Sequence, residues 1–341
     1  MKVYCELPFH RIKIDTDGKY QSCCHQAHYY GNFLTDNISV EEAFNRDDVR
    51  EVKLAVLSNK LHSSCNNTKC PLYYTNLEKN VDVGVGKLPR QIEFALPSTW
   101  CNIGGINPTS GTACIMCPRS SKTFMDTQKI DNTDKLLEII KPVLPSLGSL
   151  SILGVAEPFW KGRLFDVFDK LEFKKYKDTV FFWTYSNGTI FNKKLQDKFI
   201  KEYTEKTCVG FSIDAVTPET YKKIRRLNYY PTIVKNLENY FNEMDRFLVK
   251  RDWSFVSHNI NMMNLHEMED MVRFSNDIGA NKIQFTLTYV AHHGIRLDSS
   301  LMCNENNWEQ FWETAQRAEQ VAKELNQEIE FYVPFHKGFL K

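Results

Sequence analysis

Eight of the ten cysteines in this 341-residue chain fall into two groups, Cys5, Cys23, Cys24, Cys65 and Cys70, then Cys101, Cys114 and Cys117. Cys208 and Cys303 stand apart. Met1–Lys13 lacks the apolar core of a signal peptide, so a disulfide framework is not expected. Thiols that stay reduced and cluster in sequence bind metal or do chemistry. The second group is spaced C-x12-C-x2-C in a segment rich in Gly, Asn, Pro and Ser, a poor composition for a core. Three thiolates leave a metal with an open coordination position, as catalytic sites have. On a four-iron cube they leave one iron able to take a substrate or cofactor. Zinc on the same thiolates, or three buried core cysteines, are the plainer readings.

The first group offers four thiolates, Cys5, Cys23, Cys65 and Cys70, with Cys24 an alternative to Cys23 and with His25 and His28 competing. Four ligands suit an iron–sulfur cluster or a structural zinc equally. A segment of about 75 residues with few apolar runs needs a staple of this kind.

These cysteines must be positioned by regular elements. Residues 11–24 read as a hairpin turning at Asp17-Gly18, and Ser39 with Glu42 reads as a capping box. A glycine-containing stretch, Asn80–Leu88, reads as a linker. Beyond it, strands are expected at Gln91–Ser98, Ser149–Val155, Thr179–Tyr185, Thr207–Ile213, Trp253–Ile260 and Lys282–Leu287, with a seventh at Glu328–Val333. Amphipathic helices alternate with them: Thr133–Leu144, Arg163–Leu171, Phe191–Tyr203, Pro218 through Phe247, and His266–Ile278. Strand starts recur about every 28–30 residues, the length of one βα unit. The expected class is α/β: a partial (β/α)6 TIM-like barrel with its site at the C-terminal strand ends, preceded by a small cysteine-rich module. The division is 1–80 for the module, 88–290 for the barrel and 291–341 for a C-terminal helix and extra strand.

The cysteine triplet ends the first barrel strand, and at this point the sequence resembles the radical SAM superfamily. Cys114-Ile115-Met116-Cys117-Pro118-Arg119 is similar to the second half of the family signature, C-x3-C-x2-C, and Ser98–Asn102 to the first. The first gap here holds twelve residues in place of three. Gly154-Val155-Ala156-Glu157-Pro158 resembles the family's Gly-Gly-Glu-Pro segment, with Ala156 in the second glycine position. Tyr185-Ser186-Asn187-Gly188, Phe211-Ser212-Ile213-Asp214-Ala215 and His258–Asn264 resemble the segments ending strands three, four and five. The resemblance covers roughly residues 90–290.

It implies a [4Fe–4S] cluster on Cys101, Cys114 and Cys117. It also implies S-adenosylmethionine held by Met116, Ala156, Glu157, Asn187, Ser212 and Asp214. The implied chemistry is reductive cleavage to a 5′-deoxyadenosyl radical that abstracts a hydrogen atom from an unactivated carbon, giving epimerisation or oxidation. The order of the N-terminal elements resembles the SPASM/twitch module, which implies a second, auxiliary [4Fe–4S] cluster on Cys5, Cys23, Cys65 and Cys70. Cys303, after strand six, is a candidate hydrogen donor; His292, His293 and Tyr289 share its loop. Cys208 is expected in the core.

Composition bounds the partners. Lys and Arg number 43 against 42 Asp and Glu, for a net charge of +1, so no basic field points to nucleic acid. No apolar run approaches the ~18 residues of a membrane span. A cytoplasmic enzyme served by flavodoxin or ferredoxin as electron donor is expected. The expected substrate is a small molecule such as a sugar or nucleotide-linked metabolite, with a ribosomal peptide as the alternative. A zinc-stapled, non-radical binding protein is the alternative of another class.

Overall fold

The computed structural model describes residues 2–23, 26, 28–65, 79–80, 86–103, 114–117, 131–203, 206–246, 253–287 and 307–332. Its strands are β1 Lys2–Val3, β2 Arg11–Ile14, β3 Lys19–Gln21, β4 Gly31–Asn32, β5 Lys79–Asn80 and β6 Gln91–Ala95. They continue with β7 Ser149–Leu153, β8 Phe181–Ser186, β9 Thr207–Ser212, β10 Phe255–Ile260, β11 Lys282–Leu287 and β12 Glu328–Tyr332. The longer helices are α1 Asp47–Leu57, α2 Thr133–Ile140, α3 Arg163–Lys170, α4 Lys193–Tyr203, α5 Pro218–Arg225, α6 Tyr230–Arg246, α7 Met268–Asp277 and α8 Trp308–Glu324.

Ten strands form one sheet in the order β12-β11-β10-β9-β8-β7-β6-β2-β3-β4. From β6 to β12 each strand pairs in parallel with the next in sequence. Helices α2 to α8 lie in the connections between them. Sequential parallel neighbours joined by helical crossovers make a partial barrel, whose site lies beyond the strands' C-terminal ends. The seventh strand is present as β12, paired with β11 from Lys282↔Glu328 to Thr286↔Tyr332. The helices turn one face inward; α5 buries Thr220, Tyr221, Ile224 and Arg225, and its cap Thr217 accepts a hydrogen bond from the Thr220 N–H. An arginine on that buried face calls for a counter-charge.

The N-terminal eighty residues depart from the expected separate module. The hairpin β2–β3 forms, but β2 also pairs in parallel with β6, Arg11↔Gln91 through Ile14↔Phe94. Ile12, Ile14, Tyr20 and Phe33 are buried in the same core as Phe94, Leu137 and Ile140. The hairpin would leave an apolar edge strand unpaired, and joining the barrel sheet satisfies its ladder and covers its isoleucines together. The expected linker likewise begins on a paired residue, since Asn80 lies in β5 opposite Lys2 of β1. The Ser39–Glu42 capping box is present in full.

Candidate active site

A cavity of about 290 Å³ opens at the C-terminal ends of β6 to β11. Cys101, Cys114, Met116 and Cys117 line it from the loop after β6; Gly154, Val155 and Ala156 from the end of β7; and Tyr185 to Asn187 from β8. Ile103 after β6, Ser212 at the end of β9, Asp214 just beyond it, Arg225 of α5, Ser257 and Asn259 of β10 and Thr286 of β11 complete the wall. Three thiols separated by twelve intervening residues therefore share one cavity with polar strand-end side chains.

Each end of that intervening segment has its own anchor. At the first end, the Glu157 N–H donates to the Trp100 carbonyl at 3.1 Å. Asn102 donates to Thr189 Oγ1 at 2.7 Å and accepts from the Asn187 amide at 2.9 Å. At the second end, the Ile115 N–H donates to the Ile224 carbonyl at 2.9 Å, and the Cys117 N–H folds back on the Cys114 carbonyl at 2.9 Å. Residues 104–113, together with Pro118 and Arg119, lie outside the described residues.

Glu157 is fully buried and does not line the cavity. Its carboxylate accepts the Asn187 N–H at 2.6 Å, the Ser186 hydroxyl at 2.9 Å and the Phe159 N–H at 3.2 Å. Burial pushes its pKa up to about 7 against those three donors. It clamps the ends of β7 and β8 together, and Gly154, Val155 and Ala156 line the cavity in its place. Gly154 has φ +119°, and a Cβ there would stand 3.2 Å from the Leu96 carbonyl oxygen and 3.3 Å from its nitrogen. Only glycine lets these strand ends approach so closely.

Asp214, also with positive φ, and Arg225 form an ion pair at 2.5 Å in the wall. Asp214 Oδ1 accepts the Asn259 N–H at 2.7 Å, and the Asp214 carbonyl accepts from Asn264 at 2.8 Å. Burial pushes the Asp214 carboxyl upward while Arg225 pulls it down; a guanidinium keeps its proton in proteins, so Arg225 is positive. Arg225 Nη1 also reaches the Cys114 sulfur at 3.8 Å. Burial raises the Cys114 thiol pKa and Arg225 opposes it. Cys114 is buried, whereas Cys101 and Cys117 are half-buried.

The three thiols do not converge as ligands of a single ion; among the described residues no three Cys, His or carboxylate side chains do. Thiols spread around one wall suit a polynuclear cluster, in which each binds its own iron.

The N-terminal group is less compactly defined. Cys5 is buried with Val3, Tyr4 and Val56. Cys23 and Cys65 are joined through Gln26, whose backbone bridges to Cys65 and whose side chain accepts the Cys23 N–H at 3.2 Å. Cys24, His25 and Cys70 lie outside the described residues, and His28 is exposed. Cys303, Tyr289, His292 and His293 also lie outside them. Cys208 is buried at the start of β9, its thiol against the Trp253 carbonyl.

Arg225, Ser257 and Thr286 are cavity residues that no sequence motif indicated, whereas Asn259 falls within the His258–Asn264 motif. Arg225 carried the one legible signal, its place on the apolar face of α5.

No family model and no curated protein sequence matches the chain. Solved structures do. Streptococcus suis SuiB bound to S-adenosylmethionine superposes with a TM-score of 0.52 at 11% identity, over 90% of this chain and 65% of that one. SuiB bound to its precursor peptide SuiA gives 0.52 at 10%, over 74% and 50%. Native anSMEcpe with bound S-adenosylmethionine and the Cp18Cys peptide gives 0.50 at 15%, over 71% and 62%. The chain thus spans half to two thirds of the length of these structures. The chain shares with these structures the fold of a mostly parallel partial barrel.

Proposed function

We propose that the chain is a radical SAM enzyme whose cavity holds a [4Fe–4S] cluster and S-adenosylmethionine and whose substrate is a peptide. One observation carries the reading: Cys101, Cys114 and Cys117 reach the same cavity as Ala156, Asn187, Ser212 and Asp214, the strand-end residues the family uses for the cofactor. When bound there, cluster and cofactor supply a 5′-deoxyadenosyl radical that takes a hydrogen atom from the substrate.

The chain's own residues bind and orient. Cys101, Cys114 and Cys117 give three of the cube's four ligands and leave one iron open. Backbone carbonyls at 154–156 and the Asp214 carboxylate offer acceptors to an ammonium. Asn187 and Ser212 offer donors, and Met116 gives a polarisable surface for a flat ring. Glu157 acts one layer below, fixing the β7 and β8 ends that present these groups. Arg225 and Asp214 form a fixed, buried charge pair, a prearranged field of the kind that costs no reorganisation during reaction.

A peptide substrate is favoured over a sugar or nucleotide-linked one by the neighbours solved with peptides bound. Cys5, Cys23, Cys65 and Cys70, with Cys24 in reserve, are proposed as the ligands of an auxiliary cluster. Cys303 is proposed as hydrogen donor. Its loss should leave cofactor cleavage intact and shift the product from epimerised to oxidised or uncoupled.

The deciding experiment counts iron, acid-labile sulfide and zinc per chain after anaerobic reconstitution, then 5′-deoxyadenosine after dithionite. About eight iron and eight sulfide with S-adenosylmethionine cleavage is expected. Stoichiometric zinc without iron, and no cleavage, would overturn the reading in favour of a zinc-stapled binding protein.

A further inference from the structure

The three cavity thiols are not equivalent. Cys114 alone is fully buried, and the guanidinium nitrogen 3.8 Å from its sulfur belongs to a buried arginine. That arginine is held on both sides. Nη2 pairs with Asp214 at 2.5 Å, and the adjoining Ile224 carbonyl accepts the Ile115 N–H, which ties α5 to the cysteine loop. Asp214 is itself fixed by the Asn259 N–H and, through its carbonyl, by Asn264.

We propose that Arg225 is a positioning residue that sets the reduction potential of the cluster through Cys114, with Asp214 limiting how far it does so. This rests on the reading of Cys101, Cys114 and Cys117 as cluster ligands. A cluster gains negative charge on reduction, and its potential answers to net charge and to hydrogen bonds at the ligand sulfurs. A fixed cation at one sulfur in a buried wall therefore favours the reduced state, and a carboxylate 2.5 Å from that cation offsets part of its field. Burying the pair costs several kcal/mol in desolvation. The neighbouring α5 positions bury Tyr221 and Ile224 without charge, so packing of the helix alone does not require it.

The opposing signs of the two residues give the test. The cluster midpoint would be measured by EPR-monitored redox titration of the reconstituted full chain, without S-adenosylmethionine. Arg225→Met should lower it, Asp214→Asn should raise it, and the double variant should lie below wild type and above Arg225→Met. Arg225→Lys, which keeps the charge, should restore most of the shift. Each single neutralising variant leaves one buried charge unpaired and risks misfolding; the double variant, which removes both charges, then decides, and it should still lie below wild type. EPR line shape should change with Arg225 replaced while iron and sulfide per chain hold constant. Folded variants that keep the wild-type midpoint and line shape would overturn the proposal and leave Arg225 a structural salt-bridge partner. A wild-type chain that takes up no iron would instead overturn the cluster reading beneath it.

Discussion

The two cysteine groups follow different strands, Cys101 after β6 and Cys23 after β3, and are surrounded by different kinds of polar group. Around Cys101, Cys114 and Cys117 the buried polar groups include ions, Glu157 beneath the β7 and β8 ends and Asp214 paired with Arg225 in the wall, beside neutral ones such as Ser186 and Asn187. Near Cys23 and Cys65, hydrogen bonds among the described residues join neutral groups. Gln26 accepts from the Ser22 and Cys23 N–H groups and donates to the Tyr30 hydroxyl at 2.6 Å, and Ser64 meets the His62 ring at 2.8 Å. Buried ions carry a desolvation cost that neutral, satisfied amides and hydroxyls avoid. Such ions are useful where charge changes during function. Under the proposed function, the contrast is the one expected between a site where charge changes during reaction and a site that staples the fold or relays electrons.

The largest effect that tests this contrast is the loss of one thiol from each group. Cys114→Ala should abolish 5′-deoxyadenosine formation and halve iron per chain from about eight to about four. Cys65→Ala should remove a similar amount of iron while leaving dithionite-driven cleavage of S-adenosylmethionine within a few fold of wild type. Metal analysis and product chromatography on the same preparations would read both. If the roles come out exchanged, the assignment of the reactive site is reversed.

Glu157→Gln is expected to act next most strongly, through pH. Glu157 has a pKa of about 7 in the fold against 4.5 in the open chain. Its stabilising contribution is complete below pH 4.5 and is lost as pH rises through 7, at about 1.4 kcal/mol per unit. His258 works in the opposite sense. Both of its ring nitrogens are buried without a hydrogen-bond partner among the described residues, and burial lowers its pKa from 6.5 to about 3. Its contribution is complete above pH 6.5 and is lost as pH falls toward 3. Between pH 4.5 and 6.5 the two slopes cancel. Removing the glutamate's slope should make stability, relative to wild type, rise by about 1.4 kcal/mol per pH unit across that window. Urea unfolding of the metal-free chain at matched ionic strength would show it. Parallel curves would mean that Glu157 is no more burdened by burial than an ordinary surface carboxylate.

Gly154→Ala should cost about 1–3 kcal/mol in thermal unfolding, because alanine must take a positive φ against the Leu96 backbone. An unchanged midpoint would mean that the β6 and β7 ends are not held as closely as the approach of Gly154 to Leu96 implies.

The barrel was legible because its signals are local. Alternating apolar strands, the Thr217-Pro218 helix start and the 28–30-residue recurrence each arise within one βα unit, and β11 was placed to the residue at Lys282–Leu287. The hairpin at 11–21 was legible for the same reason. Its partner was not, because the pairing of β2 with β6 spans about 80 residues and depends on which apolar faces are left uncovered. At the site, the wall residues that motifs mark fall at the cavity, but Glu157 shows the limit of motif reading. Its place at a strand end is visible in sequence, while its orientation is set by the Asn187 and Phe159 N–H groups, which only the fold brings to it. Arg225 was hidden for the converse reason, being eleven residues past Asp214 on a helix whose inward face reads as core.

The smallest expected effect sharpens the comparison from outside both cysteine groups. His258 lies on β10 between Ser257 and Asn259, which line the cavity, and its own ring packs against Phe285, 5.9 Å between centroids, away from the cavity. It is as buried as Glu157 but accepts and donates nothing among the described residues, so no hydrogen bond opposes its loss. Replacing a polar group that has no partner by an apolar one of similar shape is close to neutral. His258→Phe should therefore change stability at pH 8 by less than about 1 kcal/mol, the slightly larger ring offsetting part of the gain. Below pH 6.5 the variant should gain on wild type by about 1.4 kcal/mol per unit, the mirror image of Glu157→Gln. The double variant should then run parallel to wild type between pH 4.5 and 6.5, because the groups share no hydrogen bond. A double variant that keeps either slope would mean that the two charges are coupled, most directly through Arg225, whose field reaches both. The buried charge network would then extend past the wall of the reactive site into the layer behind the sheet.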